Sequence, residues 1–243
     1  MNPKLCVSLL VVPAAAVLLM QTPQVGNAQA PAVAADVITG KVIFSGSKPT
    51  VRRIQMDANA ACAKAHPDGL PSPEVILNQD NSLQNVLVYV KSGPGLAGKT
   101  FPAPTEAVKI NQAGCMFEPH VVVAMVNQPI EIANSDPMNH NVHVMAESNA
   151  TFNVSQLPKA PPKVATFAKP EIGVVLMCNI HPWMRVYANV VSNPYYAITG
   201  ADGTFTIKGL PAGIYTLEAW HEKFGAQEKK IKVGSKSDFT FTE

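Results

Sequence analysis

Cys178-Asn179-Ile180-His181-Pro182-Trp183-Met184 brings a thiolate, an imidazole and a thioether into seven residues, directly after the apolar run 173–177. Sulfur ligands combined with imidazole favour copper, and two histidines, one cysteine and a weakly bound methionine make up an electron-transfer copper site. The loop supplies one imidazole, so the second has to come from another part of the chain. His140 is the best supplier, because it follows the turn Asn134-Ser135-Asp136-Pro137 and begins a strand. The expected metal set is therefore His140, Cys178, His181 and Met184 around one type 1 copper ion. A carrier that alternates between Cu(I) and Cu(II) must do so with little ligand movement. A thiolate and two imidazoles on a rigid β scaffold meet that demand, while the distant sulfur tunes the potential. Asn141, beside His140, is placed to bridge the two ligand loops by hydrogen bonds and so hold the ligands in orientation.

The elements that must position these residues are strands. The 21 prolines and 15 glycines punctuate β-branched runs, and no 3.6-residue periodicity persists. Strands are expected over 38–44, 86–90, 108–111, 121–126, 130–133, 140–145, 173–177 and 185–191, which makes the fold all-β. The connection holding Cys62 and His66 and the proline-rich stretch 148–170 read as loop. After residue 192 a second pattern begins. Ala201-Asp202-Gly203 signals a hairpin between 197–199 and 205–207, and strands follow over 215–220 and 229–233. Alternation of Leu217, Ala219 and His221 reads as a strand running out to solvent.

The first thirty residues have the marks of a cleavable signal peptide. Lys4 precedes the apolar run 5–20, and Ala28-Gln29-Ala30 has the small-x-small cleavage pattern. The run is short for a membrane span and Pro13 interrupts it, so a periplasmic or secreted protein is expected. Without Lys4 the formal charge falls from +2 to +1. So small a charge gives no electrostatic reason for nucleic acid or an anionic membrane as partner.

His140-Asn141-Val142-His143 and Cys178-x-x-His181-Pro182-Trp183-Met184-Arg185 resemble the two copper-loop motifs of amicyanin, a plastocyanin-like member of the cupredoxins. The resemblance runs from about residue 107 to 191 and includes Phe117-Glu118-Pro119. It implies a Greek-key β-sandwich with copper bound by His140, Cys178, His181 and Met184. The C-terminal Thr199-Gly200-Ala201-Asp202-Gly203-Thr204-Phe205 and Leu210-Pro211-Ala212-Gly213-Ile214-Tyr215 resemble the carboxypeptidase regulatory-like β-sandwich, a module without catalytic residues. Its opening strands look like Ile38-Thr39-Gly40-Lys41-Val42 and Val86-Leu87-Val88-Tyr89-Val90. The expected organisation is a signal peptide (1–30), an N-terminal β segment (36–106) that pairs with the C-terminal module (193–243), and a copper domain (107–192) set between them. Fifty residues alone make a poor core, which is the reason for the pairing.

The expected function is a carrier of single electrons between a protein donor and a protein acceptor, acting as a monomer. The rivals are a copper storage or delivery protein and a non-redox structural or adhesive protein. Enzymatic roles fit poorly: no hydrolase triad motif, His-Glu-x-x-His run or Gly-rich phosphate loop is present, and the saturated ligand set leaves no position for substrate. Electrons are expected to pass through His181, with an imidazole edge at the surface and Pro182 and Trp183 as an apolar rim for docking. Cys62 and Cys115 are the other cysteines beyond the leader, and an oxidising compartment allows them to bridge. His143, three residues along an extended strand from His140, faces away from it. His120, His66 and Trp220-His221-Glu222 read as structural.

Overall fold

Alternating burial along Val37–Phe44 turns Ile38, Val42 and Phe44 to one side, and the strands that complete that side come from the far end of the chain. The computed structural model describes residues 36–243; the expected signal peptide lies outside them. The N-terminal part supplies β1 (Val37–Phe44), β2 (Arg53–Ile54), helix α1 (Ala60–Ala65), β3 (Leu70–Pro71) and β4 (Leu87–Ser92). The middle supplies β5 (Val108–Ala113), β6 (Met116–Glu118), β7 (Val121–Met125), β8 (Ile130–Asn134), β9 (His140–Met145), β10 (Phe152–Gln156), β11 (Lys163–Ala165), β12 (Glu171–Met177) and β13 (Arg185–Val191). The last part supplies β14 (Tyr196–Ile198), β15 (Thr204–Lys208), β16 (Ile214–His221), β17 (Gly225–Lys232) and β18 (Phe239–Phe241). The described residues are all-β apart from α1. No helix among the described residues is long and apolar enough to cross a membrane.

Two pairs of sheets enclose two cores. Sheets β15-β1-β18 and β14-β4-β16-β17 share a core that includes Ile38, Phe44, Val88, Phe205, Tyr215 and Phe239. β1 lies antiparallel to β15 and parallel to β18, so the two ends of the described chain close one sandwich. Sheets β10-β9-β12-β13-β7 and β11-β8-β5-β6 share the other core, built on Ile110, Phe117, Ile132, Val144, Leu176 and Val186 and containing Cys178 and Met184. Each such side chain contributes about 1.5–3 kcal/mol when fully buried. A third, smaller core gathers Ile54, Met56, Cys62 and Cys115, with Met138 and Trp183 packed against it. Cys62 and Cys115 are joined by a disulfide across 53 residues, with their Cα atoms 6.0 Å apart.

Several local readings of the sequence are corrected. The stretch 148–170 contains β10 and β11, which add edge strands to β9 and β8. The connection around Cys62 contains α1, started by Asn59, whose side chain accepts from the N–H groups of Ala61 and Cys62 at 3.0 and 3.1 Å. Ala201-Asp202-Gly203 is not a hairpin turn. β14 pairs with β4 and β15 with β1, so this turn carries the chain from one sheet to the other. Gly203 has φ +67° there, and a Cβ would meet the Val42 carbonyl oxygen at 2.6 Å, so only glycine fits.

His221 does not run out to solvent. It is 1% exposed, stacked on Phe224 with ring centroids 4.8 Å apart, and accepts the Lys223 N–H at Nδ1, 3.2 Å. Desolvation pushes its pKa down from 6.5 to about 4. Below pH 6.5 the unfolded chain takes up a proton at this site that the folded chain refuses until near pH 4. The contribution is complete above pH 6.5 and is lost as the pH falls, by about 3 kcal/mol near pH 4. Denaturant midpoints should therefore drop between pH 7.5 and 4.5, and His221→Phe should flatten that drop. An identical drop in both proteins would remove His221 as its cause.

Candidate metal centre

The turn before β9 sets the first candidate ligand. Asn134 donates from its amide to the carbonyls of Met138 at 2.9 Å and Gln156 at 3.0 Å, and its Oδ1 accepts the Asp136 N–H at 3.0 Å. This fixes Asp136 beneath His140, whose Nε2 donates to Asp136 Oδ2 at 2.8 Å. The same carboxylate accepts the N–H groups of Gly114 at 2.7 Å and Cys115 at 2.8 Å. With its proton held at Nε2, His140 presents the Nδ1 lone pair to the interior.

The second ligand loop folds tightly on itself where β12 ends. The Cys178 N–H donates to the Met184 carbonyl at 3.2 Å, and the Met184 N–H to the His181 carbonyl at 2.8 Å. Cys178 Sγ then lies 3.6 Å from His181 Nδ1 and 4.0 Å from His140 Nδ1, and the two Nδ1 atoms are 2.9 Å apart. All three ligand atoms fall within 4.8 Å of one another, the one such group among the described residues. Met184 is buried in the same core as Cys178. Asn141 ties the two loops together: its N–H donates to Cys178 Sγ at 3.3 Å, and its Oδ1 accepts the Asn179 N–H at 3.0 Å.

The electrostatics favour a thiolate. Burial pushes the Cys178 thiol up, but its contact with His140 and hydrogen bonds from the N–H groups of His181, Asn141 and Ile180 outweigh it and leave the thiol below its ordinary pKa. Burial opposes charge on His140 too, yet Cys178 and Asp136 together raise its pKa. Burial and the neighbouring His140 lower that of His181. A lowered thiol pKa eases the loss of the proton that a soft metal ion displaces on binding sulfur.

The surface edge expected of His181 is not there: the residue is 0% exposed. The Asn59 amide nitrogen lies 2.9 Å from its Nε2, so the segment that starts α1 covers the imidazole. Trp183 packs beside it, with ring centroids 5.3 Å apart, and donates its indole N–H to the Cys115 carbonyl at 2.9 Å. The cause is the third core, which fastens α1 over the ligand loop next to the disulfide. Pro182 remains exposed and Trp183 half-buried. His143 faces away from the centre and meets Asn179 Oδ1 at 3.1 Å, while His66 Nε2 lies 2.9 Å from the Gly114 carbonyl oxygen. His120 pairs with Glu222.

Two residues that build the site were missed by sequence reasoning. Asp136 was visible only as part of a turn, and nothing local marks its contact with His140. Asn59 carried a signal, since an Asn before Ala60-Ala61-Cys62-Ala63 is a helix start, but its reach to His181 spans 122 residues.

No protein-family model matches the chain, and no curated protein matches it. Its structural neighbours are cupredoxins at low similarity. A copper-containing nitrite reductase from Thermus scotoductus is 24% identical with a TM-score of 0.34, and the match covers 43% of this chain and 28% of the reductase. A purple cupredoxin from Nitrosopumilus maritimus is 19% identical with a TM-score of 0.30, covering 35% of this chain and 99% of that one. A reduced amicyanin mutant is 20% identical with a TM-score of 0.32, covering 43% and 98%.

Proposed function

We propose that the protein is an exported type 1 copper protein that carries single electrons, with copper held by His140 Nδ1, Cys178 Sγ, His181 Nδ1 and the thioether of Met184. The observation that supports this reading is the buried convergence of one thiol and two imidazole nitrogens within 4.8 Å. The donor set fits the metal: soft sulfur with imidazole selects copper, and His140 is already oriented by Asp136 to offer Nδ1. Copper bound there supplies the one-electron redox chemistry. The residues keep the ligands still, exclude water and lower the proton affinity of the thiol. With four protein ligands the centre has no place for a substrate, which favours a carrier over an enzyme. The disulfide favours an oxidising compartment, periplasmic or extracellular. In this reading the β1/β4/β14–β18 sandwich is a carboxypeptidase regulatory-like scaffold, the redox donor and acceptor are proteins, and the chain works as a monomer.

The full burial of His181 favours a second reading, a protein that stores or delivers copper. The absorption spectrum and voltammogram of the copper-loaded protein separate the two. A carrier shows an intense thiolate-to-Cu(II) band and fast reversible cycling, whereas a storage protein holds Cu(I) without colour. Zinc or nothing at the site gives neither result. Asp136→Asn tests the support of His140. It removes the charge and leaves one acceptor oxygen where the carboxylate offers two to Gly114, Cys115 and His140, and it should weaken copper binding about 10–100-fold in chelator competition. Unchanged affinity would show that Asp136 serves the turn alone.

A further inference from the structure

A cleft of about 640 Å³ opens between the 52–74 segment and the outward face of β13, a size typical of small-molecule sites. Arg52 and Arg53 line one side and Arg185 the other, while Ile54, Pro182 and Trp183 supply apolar wall. Two of these groups are held in place: the Arg53 guanidinium donates to the Asp68 and Gly69 carbonyls at 2.8 and 2.9 Å, and Trp183 is tied to Cys115. None of the three arginines forms a salt bridge among the described residues. The two carboxylates in the lining already have partners. Glu74 lies 3.8 Å from Lys223 Nζ, and Glu222 is paired with His120. With Glu74 answered by Lys223, the three guanidinium groups face Glu222 alone, which leaves two positive charges uncompensated.

We propose that this cleft binds a small organic carboxylate, with its charge among the Arg52 and Arg185 guanidinium groups and its apolar body against Ile54, Pro182 and Trp183. The flat guanidinium fork matches a carboxylate, and its negative charge offsets part of the surplus. A phosphate would set oxygens against the apolar wall. Trp183 touches His181 on its other side, so a ligand here sits one side chain from the metal centre. Its use as the contact point for a redox partner rests on the electron-carrier reading; the binding does not.

The test therefore uses the full, metal-free chain with its disulfide intact, at low ionic strength. It is titrated with benzoate and, separately, with neutral benzamide, while the Trp183 indole N–H is followed by NMR. Benzoate should shift that resonance saturably at millimolar concentration, and benzamide should bind at least about tenfold more weakly, as expected where a charge-assisted contact is lost. The exposed pair Arg52→Gln/Arg185→Gln should reduce benzoate affinity by a similar factor with an unchanged melting curve. No saturable shift, equal binding of benzamide, or full affinity in the folded double variant would each overturn the proposal. If the double variant does not fold, the benzoate–benzamide comparison on the parent chain decides it.

Discussion

Cys178→Ser should yield a protein that stays colourless with Cu(II) and binds copper far more weakly, while keeping its fold. The intense visible band of such a centre arises from charge transfer out of a thiolate, and a serine hydroxyl is neither soft nor ionised near neutral pH. The loss of affinity should exceed the 10–100-fold expected at Asp136, because a ligand is removed and not its support. The geometry makes Cys178 the hub. Its Sγ is within 4.0 Å of both imidazole Nδ1 atoms, and the N–H of Asn141 points at it from the other ligand strand. Putting a hydroxyl in place of the thiol in a fully buried position costs on the order of 1–3 kcal/mol, which the large core around it can absorb. Thiol titration gives a second readout: a chain beginning at residue 31 should show one free thiol when denatured without reductant, and none in the variant. Full visible absorbance in Cys178→Ser would end the copper assignment.

The parts that were legible in the sequence are those governed by local pattern. Period-two burial marks β1, β8 and β15, as in Phe205 and Ile207 of β15. Three of the four candidate ligands sit in one short loop, and the structure brings His140 to Cys178 and His181 across 38 and 41 residues. What was not legible depends on contacts between distant segments. β10 and β11 are short and lie among prolines, so their identity as strands comes from β9 and β8. The Ala201-Asp202-Gly203 signal is local, but β1 and β4 decide where the flanking strands pair. His221 alternates with Leu217 and Ala219 as read, yet whether that face ends in water or in protein is settled by Phe224 and Phe241, which close over it. The cover over His181 was the largest omission. α1 has six residues, too few to show a helical period, and its position is set by a disulfide partner 53 residues away.

Removing that bridge should uncover the metal centre without dissolving the fold. In Cys62→Ala/Cys115→Ala, or after selective reduction, the 52–72 segment loses its main restraint. The closed loop contributes about 4 kcal/mol in the chain-entropy model, and the third core that remains is small. Neither of the two large cores contains Cys62 or Cys115, so the loss should be local. The amide groups of Ala63 and His66, which donate to Asn59 and Cys62 within this segment, should exchange with solvent up to about a thousandfold faster, the factor that 4 kcal/mol allows. The amides of β12 and β13 should keep most of their protection. Release of α1 also withdraws Asn59 from His181 Nε2 and frees one side of Trp183, so Trp183 should become open to aqueous quenchers. Unchanged exchange at Ala63 and His66 would mean that Asn59, His66 and the packing of Met56 hold the cover by themselves. The functional consequence separates the two readings of the site. In a carrier the covered His181 limits electron exchange, so the open form should react faster with small oxidants and reductants. In a storage protein the cover retains the metal, so the open form should instead lose copper to a chelator faster than the parent.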